Sequence, residues 1–152
     1  MSAVSQNLTP IFAGTESRAL DENHRVTVPA RWRHESLREL YAVPDPRQPL
    51  LMLMTAGEMD LIRKKLENDP QIDAADRRTF MRQFFSQASP CSMDKQGRLV
   101  LPAEQCARYG LSGEVVLVGG GARIEVWSRS EWDAVCHREK DVFASVANRI
   151  GL

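Results

Sequence analysis

Apolar and polar positions alternate with period two over several short runs of this chain, and recur with helical spacing over others. The clearest series begins at "ASPCSM" (88–93), which leads into Asp94-Lys95-Gln96-Gly97. Asp94 favours a turn start because its carboxylate accepts local backbone hydrogen bonds, and Gly97 permits positive φ. "RLVL" (98–101) follows as a strand that Pro102 stops. The same proline suits the start of a helix, "PAEQCARYG", which Gly110 can close. "EVVLVG" (114–119) and "RIEVW" (123–127) read as strands joined into a hairpin across Gly119–Ala122. An earlier stretch repeats this order: a strand, a turn at Asp21, "RVTV" (25–28), a helix from Pro29, then "LLMLM" (50–54). Its third strand is poorer, since "YAVPDPRQP" (41–49) carries three prolines, which predicts an irregular loop or an edge. Helical spacing appears in 57–69, with Met59, Ile62 and Leu66 on one face. It appears again in 73–87, where Phe80, Met81 and Phe84 stand against Arg77, Arg78 and Arg82. A third case is 130–150, with Trp132, Val135, Val142, Val146 and Ile150 near one side.

These two series are one phrase written twice. "LDENHRVTVP" (20–29) and "MDKQGRLVLP" (93–102) lie 73 positions apart (94 − 21 = 73). An ungapped overlay of 12–60 on 85–133 matches Phe12 with Phe85, Asp21 with Asp94, and Arg25 with Arg98. It also matches Pro29-Ala30 with Pro102-Ala103, Glu58 with Glu131, and Asp60 with Asp133. "TAGE" (55–58) falls on "SRSE" (128–131), and both fit a helix-starting capping box. Each copy, at about 50 residues, is too small to bury a good core alone, so the two are expected to share one. The expected layout is a first repeat over 15–60, a helical connector over 61–87, a second repeat over 88–131 and a C-terminal helix over 132–152. Strand-rich units with appended helices give an α+β chain.

Composition narrows the function classes. A hydrophobic share of 43% and a charged share of 26% are ordinary for a globular domain. No apolar run approaches the ~20 residues that span a bilayer, and "MSAVSQNLTPIF" lacks the basic start and apolar core of a secretory signal. A cytoplasmic location follows as the expectation. Cys91, Cys106 and Cys136 form no CxxC pair and read as buried small hydrophobes. The formal net charge is zero, which argues against a strongly basic binder but leaves room for a local basic patch or for several aligned copies.

The paired Asp-x-x-x-Arg turns, each followed by an apolar strand and Pro-Ala, resemble the MraZ family of bacterial transcription regulators. The resemblance covers roughly residues 10–140 and is most specific over "CSMDKQGRLVLPAEQCARYGLSGEVVLVGGGARIEVWSRSEW". The first turn departs from the family's usual Lys-Gly before the arginine and has Asn23-His24 instead. The resemblance implies two tandem SpoVT-AbrB-type swapped-hairpin repeats forming one β-barrel-like core. It implies sequence-specific binding of double-stranded DNA, without catalysis, by ring-like homo-oligomers at repeated promoter elements of the division and cell-wall gene cluster, including the protein's own promoter region. A nucleoid-associated cytoplasmic location goes with that reading.

Matched to the motif, Arg25 and Arg98 are the expected base or phosphate contacts, since arginine offers a planar donor fork. Asp21 and Asp94 would brace the turns and orient them, with Gly97 supporting the second. Lys95 and His24 are candidate phosphate contacts, and Arg18, Arg31 and Arg33 could supply further cations around the first turn. Glu22, Glu35 and Glu39 stand among these cations, so a merely solvated face is the competing reading. "GGGARIE" (119–125) lacks the Gly-Lys-Ser/Thr end of a phosphate loop and reads as a hairpin turn. His24, His34 and His137 have no ligand spacing, so no metal or cofactor site is expected. The aromatics Phe80, Phe84, Trp127 and Trp132 read as core or subunit interface. An enzyme would need a Cys or Ser clustered with a His, which the sequence does not place together; no small-molecule substrate or membrane partner is expected. The remaining alternative is a protein-partner-binding or antitoxin-like module of the same fold.

Overall fold

The computed structural model describes residues 10–34 and 37–152. The amino-terminal stretch 1–9, read above as lacking a secretory leader, and Glu35, counted among the acids near the first turn, lie outside them. The elements run β1 (Thr15–Leu20), β2 (Arg25–Thr27), a single 3-10 turn (Ala30–Trp32), β3 (Glu39–Pro44), β4 (Leu51–Met54), α1 (Ala56–Asn68) and α2 (Ala74–Ser86). They continue with β5 (Ser89–Ser92), β6 (Arg98–Val100), α3 (Ala103–Arg108), β7 (Gly113–Gly119), β8 (Ile124–Ser128), α4 (Arg129–Arg138) and α5 (Lys140–Arg149). The class is α+β, as expected. The strands form a six-stranded sheet in the order β1-β7-β8-β4-β3-β5 and a two-stranded sheet of β2 and β6. Every pairing is antiparallel.

The repeat governs this topology. β1 of the first copy pairs with β7 of the second, and β5 of the second pairs with β3 of the first. The copies therefore exchange strands. Met52 faces Glu125 at the centre of the large sheet, and Val26 faces Leu99 at the centre of the small one. Both pairs are related by the 73-residue offset, so one pseudo-two-fold relation runs through both sheets.

The overlay is not ungapped throughout. Tyr41 pairs with Met54 and Val116 with Trp127, so the third strand is offset by 75 (116 − 41). The compensating two residues lie in the longer β3–β4 connection. Its prolines fall at and beyond the strand end, at Pro44, Pro46 and Pro49, which leaves 39–43 free to pair. β3 is consequently an interior strand between β4 and β5, not the loop or edge that the prolines predict. Phe12 and Phe85 also part company. Phe12 sits in an extended bridge to Gly121, whereas Phe85 lies in α2.

Two cores flank the six-stranded sheet. On one side Leu51, Leu53, Val115, Leu117, Ile124 and Val126 meet Val26, Val28, Leu99 and Leu101 of the small sheet. On the other, Leu50, Met52, Met54, Val116 and Trp127 meet α1 through Met59 and α4 through Val135, with Phe84 and Phe85 of α2 packed against them. "LLMLM" is apolar throughout because both of its faces are covered. Trp127 is thus a core residue, and Trp132 packs beside it with ring centroids 5.7 Å apart. Phe80 stacks on Phe84 at 5.4 Å but is partly exposed.

Three further expectations change. The helix expected from Pro29 is only one turn. Trp32 is buried there, donates Nε1–H to the Ala13 carbonyl at 2.9 Å and meets Phe12 edge-on, and the chain leaves extended at Arg33. The helix expected over 130–150 is two, meeting at Glu139: α4 buries Val135 on the sheet, whereas no residue of α5 is buried. Cys91 and Cys106 are buried but Cys136 is exposed on α4. Burial pushes the Cys91 thiol up to about 11. The three glycines of "GGGARIE" join β7 to β8, so the hairpin reading holds. A Cβ on Gly119 would lie 2.6 Å from the backbone of Phe12 and Ala13, which requires glycine there. Among the described residues no helix is long and apolar enough to cross a membrane.

Candidate nucleic-acid interface

Asp21 and Asp94 organise two turns with matching hydrogen bonds. In the first, Asp21 Oδ1 accepts from the backbone N–H of Asn23 and of Arg25 at 2.9 and 2.8 Å, and Oδ2 accepts from Arg25 Nε at 2.7 Å. In the second, Asp94 Oδ1 accepts from Gln96 and Arg98 N–H, both at 2.9 Å, and Oδ2 from Arg98 Nε at 2.9 Å. The Arg25 and Arg98 amides, followed by their guanidinium contacts, hold the Asp21 and Asp94 carboxyls below the usual carboxylate range. Each aspartate thus ties the start of its turn to the arginine that ends it.

The fourth position of each turn is left-handed: His24 has φ 61° and Gly97 φ 80°. The first turn thus keeps the backbone shape of the second without its glycine, at a cost of about 1 kcal/mol or more for a residue with a Cβ. Each turn also joins the opposite repeat. Val28 N–H donates to the Gly97 carbonyl and Leu101 N–H to the His24 carbonyl, both at 2.8 Å.

These bonds fix the turns to the two ends of the β2–β6 ribbon. Arg25 pairs with Val100 and Thr27 with Arg98. Cross-strand partners share a face, and residues two apart along a strand share it too. Arg25, Thr27, Arg98 and Val100 therefore occupy the outer face, while Val26, Val28, Leu99 and Leu101 fill the core. The two arginines, 73 apart in sequence, become diagonal neighbours roughly 7–8 Å apart. Their side chains are about a third exposed. Each is held through Nε, and among the described residues its terminal nitrogens make no hydrogen bond. Two oriented donor forks thus point off one ribbon.

The remaining candidates divide. Lys95 and Glu22 stand exposed at the tips of their turns. Arg18 pairs with Glu16 at 3.2 Å, and Arg31 pairs with the same carboxylate while its guanidinium lies over the Trp32 ring. Arg31, with Arg18 behind it, holds the Glu16 carboxyl below its ordinary range. Both cations are thus tied down along β1. Arg33 does not flank the first turn, as its sequence position suggests. It donates to the Gln96 carbonyl of the second turn at 3.1 Å and lies across Gly97.

Sequence reasoning missed two features. Val100 is 56% exposed on the arginine face; reading "RLVL" strictly with period two would have turned it outward. Glu58, read only as part of a helix cap, is buried and pairs with Arg123 of the other repeat at 2.7 Å. Its backbone N–H does donate to Thr55 Oγ1 at 3.1 Å, so half of the capping box forms.

The chain is similar to known proteins along most of its length. A family model described as "MraZ protein, putative antitoxin-like" matches residues 84–151, which takes in the second turn. The transcriptional regulator MraZ of Heliobacterium modesticaldum is 35% identical over 140 residues, 92% of this chain and 96% of that protein. Its namesake from Carboxydothermus hydrogenoformans is 34% identical with the same coverage. That from Desulforamulus reducens is 35% identical over 92% of this chain and 97% of its own. Identity at this level along nearly the whole length of both chains, together with a duplicated Asp-x-x-x-Arg turn, places the chain in the MraZ family.

Proposed function

We propose that this protein is a transcription regulator that binds double-stranded DNA through the outer face of the β2–β6 ribbon and has no catalytic role. The observation that carries the reading is the placement of Arg25 and Arg98 on one ribbon face, each locked by an aspartate through Nε with its outer nitrogens unbonded among the described residues. A two-stranded ribbon can enter the major groove, where an arginine fork matches guanine O6 and N7. Val100, exposed between them, suits contact with a thymine methyl. The exchange of strands between the two repeats fits two swapped-hairpin repeats closing around a shared, barrel-like core. A cytoplasmic, nucleoid-associated location follows from the DNA. The relatives are named as transcriptional regulators; repeated elements in the protein's own promoter region, at the division and cell-wall gene cluster, are the target this reading favours. Several copies in one homo-oligomer would multiply contacts that a neutral chain makes weakly.

A second reading, a module that binds a protein partner, draws on the exposed apolar side chains of α5. It gives no role to the oriented arginines. The deciding experiment is a gel shift on the protein's own upstream region with Arg25→Ala, Arg98→Ala and the double variant. Each single change is expected to cost about 1–3 kcal/mol of binding while circular dichroism stays unchanged. Full affinity in the double variant would refute the DNA reading.

A further inference from the structure

The two turns sit at pseudo-equivalent ends of one ribbon, yet their surroundings differ. A groove beside the second turn, with lobes of about 340 and 600 Å³, is lined by Arg33, His34 and Arg38 on one wall and by Asp94 and Lys95 on the other. At the 73-residue offset that relates the two turns, Lys95 corresponds to Glu22. The tip of the first turn therefore carries an acid where the second carries a cation. Among the described residues neither Arg33, Arg38 nor Lys95 takes part in an ion pair. Asp94, the acid among the described residues that line the groove, is already engaged by Arg98. Arg33 is held against the turn by its bond to the Gln96 carbonyl, and among the described residues its buried Nε–H has no partner. Compact cation clusters with spare donors are what phosphate oxygens seek.

We propose that this groove is a phosphate-binding site that grips one strand of the DNA backbone beside Arg98, and that the first turn has no counterpart. The inference rests on the DNA reading above. Its consequence is polarity. The ribbon's outer face is nearly two-fold symmetric and by itself fits a duplex either way round, whereas a phosphate anchor at one end favours one orientation. Arg33 acts in it as a positioning residue for the turn as well as a cation.

The test is a salt titration of binding by the full-length protein to a duplex of its own upstream region and to a scrambled duplex of equal composition. Arg38→Ala/Lys95→Ala removes two cations whose side chains make no hydrogen bond among the described residues. Its log K against log salt slope is expected to fall by about 0.9 for each phosphate no longer neutralised. Both duplexes should weaken by the same factor. Lys65→Ala/Lys140→Ala removes equal charge away from the groove and should leave the slope unchanged. Equal losses in the two variants, or none in the first, overturn the groove. If the parent fails to bind, or Arg25→Ala/Arg98→Ala binds as the parent does, the DNA reading itself has failed. A parallel titration with inorganic phosphate, followed by NMR at the Lys95 and His34 amides, separates the sources. Saturable shifts there, combined with an unaltered DNA slope in Arg38→Ala/Lys95→Ala, assign the groove to a free anion and overturn the backbone contact.

Discussion

His24 holds the place that Gly97 holds in the other repeat, with φ 61° against 80°. A Cβ in the left-handed region strains the backbone, and glycine removes that strain. His24→Gly is expected to raise stability by roughly 0.5–1 kcal/mol, read as a higher urea midpoint. Gly97→Ala should do the reverse and more, since its Cβ would clash with the Arg33 guanidinium that lies across the turn. Asp21 and Asp94 make a second prediction. Their folded carboxyls titrate below 3.8 because the Arg25 and Arg98 amides and guanidinium groups hold the charged form. A depressed carboxyl contributes stability above its unfolded value and loses it as pH falls through the folded value. Asp21→Asn/Asp94→Asn should therefore trail the parent by a constant margin at neutral and mildly acidic pH. That margin should shrink as pH drops below 3.8. Urea midpoints across that range check it, and a gap that widens in acid would contradict the assignment.

Among elements, the two helix starts are alike in sequence and unlike in consequence. Thr55 and Ser128 both cap through the N–H three residues on, at 3.1 and 3.3 Å. Beyond that the carboxylates diverge, because Glu58 is buried against Arg123 while Glu131 is exposed. The Glu58–Arg123 pair ties the first turn of α1 to the β7–β8 connection, and Arg123 Nη1 also reaches Met52 Sδ at 3.1 Å. Removing one partner of a partly desolvated pair costs more than removing an exposed charge. Glu58→Ala is expected to lower stability by about 1–3 kcal/mol and Glu131→Ala by no more than about 0.5. Thermal denaturation of the two variants side by side decides it. A double cycle with Arg123→Ala should show that most of the first loss is shared.

For the whole molecule, α5 is the element without a place in the fold. Val142, Phe143 and Val146 along it and Ile150 just past its end are exposed, and an apolar stripe of that kind marks an interaction surface more often than bare surface. A second copy is the occupant that the proposed assembly calls for. Light scattering at micromolar concentration is expected to give a mass several times 17.1 kDa. Phe143→Asp/Ile150→Asp should reduce it, with helicity retained. A clean monomer in the parent would contradict the multicopy mode of binding.

Much of this protein is written locally. The duplication shows in the sequence as a 73-residue repeat, and the two Asp-x-x-x-Arg turns, the strands of the second repeat and both helix starts follow from residues within a few positions of one another. Turn chemistry, caps and period-two alternation act over that range. Whatever depends on the partner of a segment was not legible. Three prolines argue against β3, yet neighbours on both sides make it an interior strand. Arg33 lies beside the first turn in the chain and beside the second in space, because the strands are exchanged between repeats. Arg25 and Arg98 needed the β2–β6 pairing to share a face, and Glu58 needed the β7–β8 connection to become half of a buried pair. That two similar turns exist, and what each is made of, is legible in the chain alone. That they share one ribbon, and that Arg33 reaches the second turn, comes from packing between distant segments, since contacts across the pseudo-two-fold relation join residues far apart in the chain.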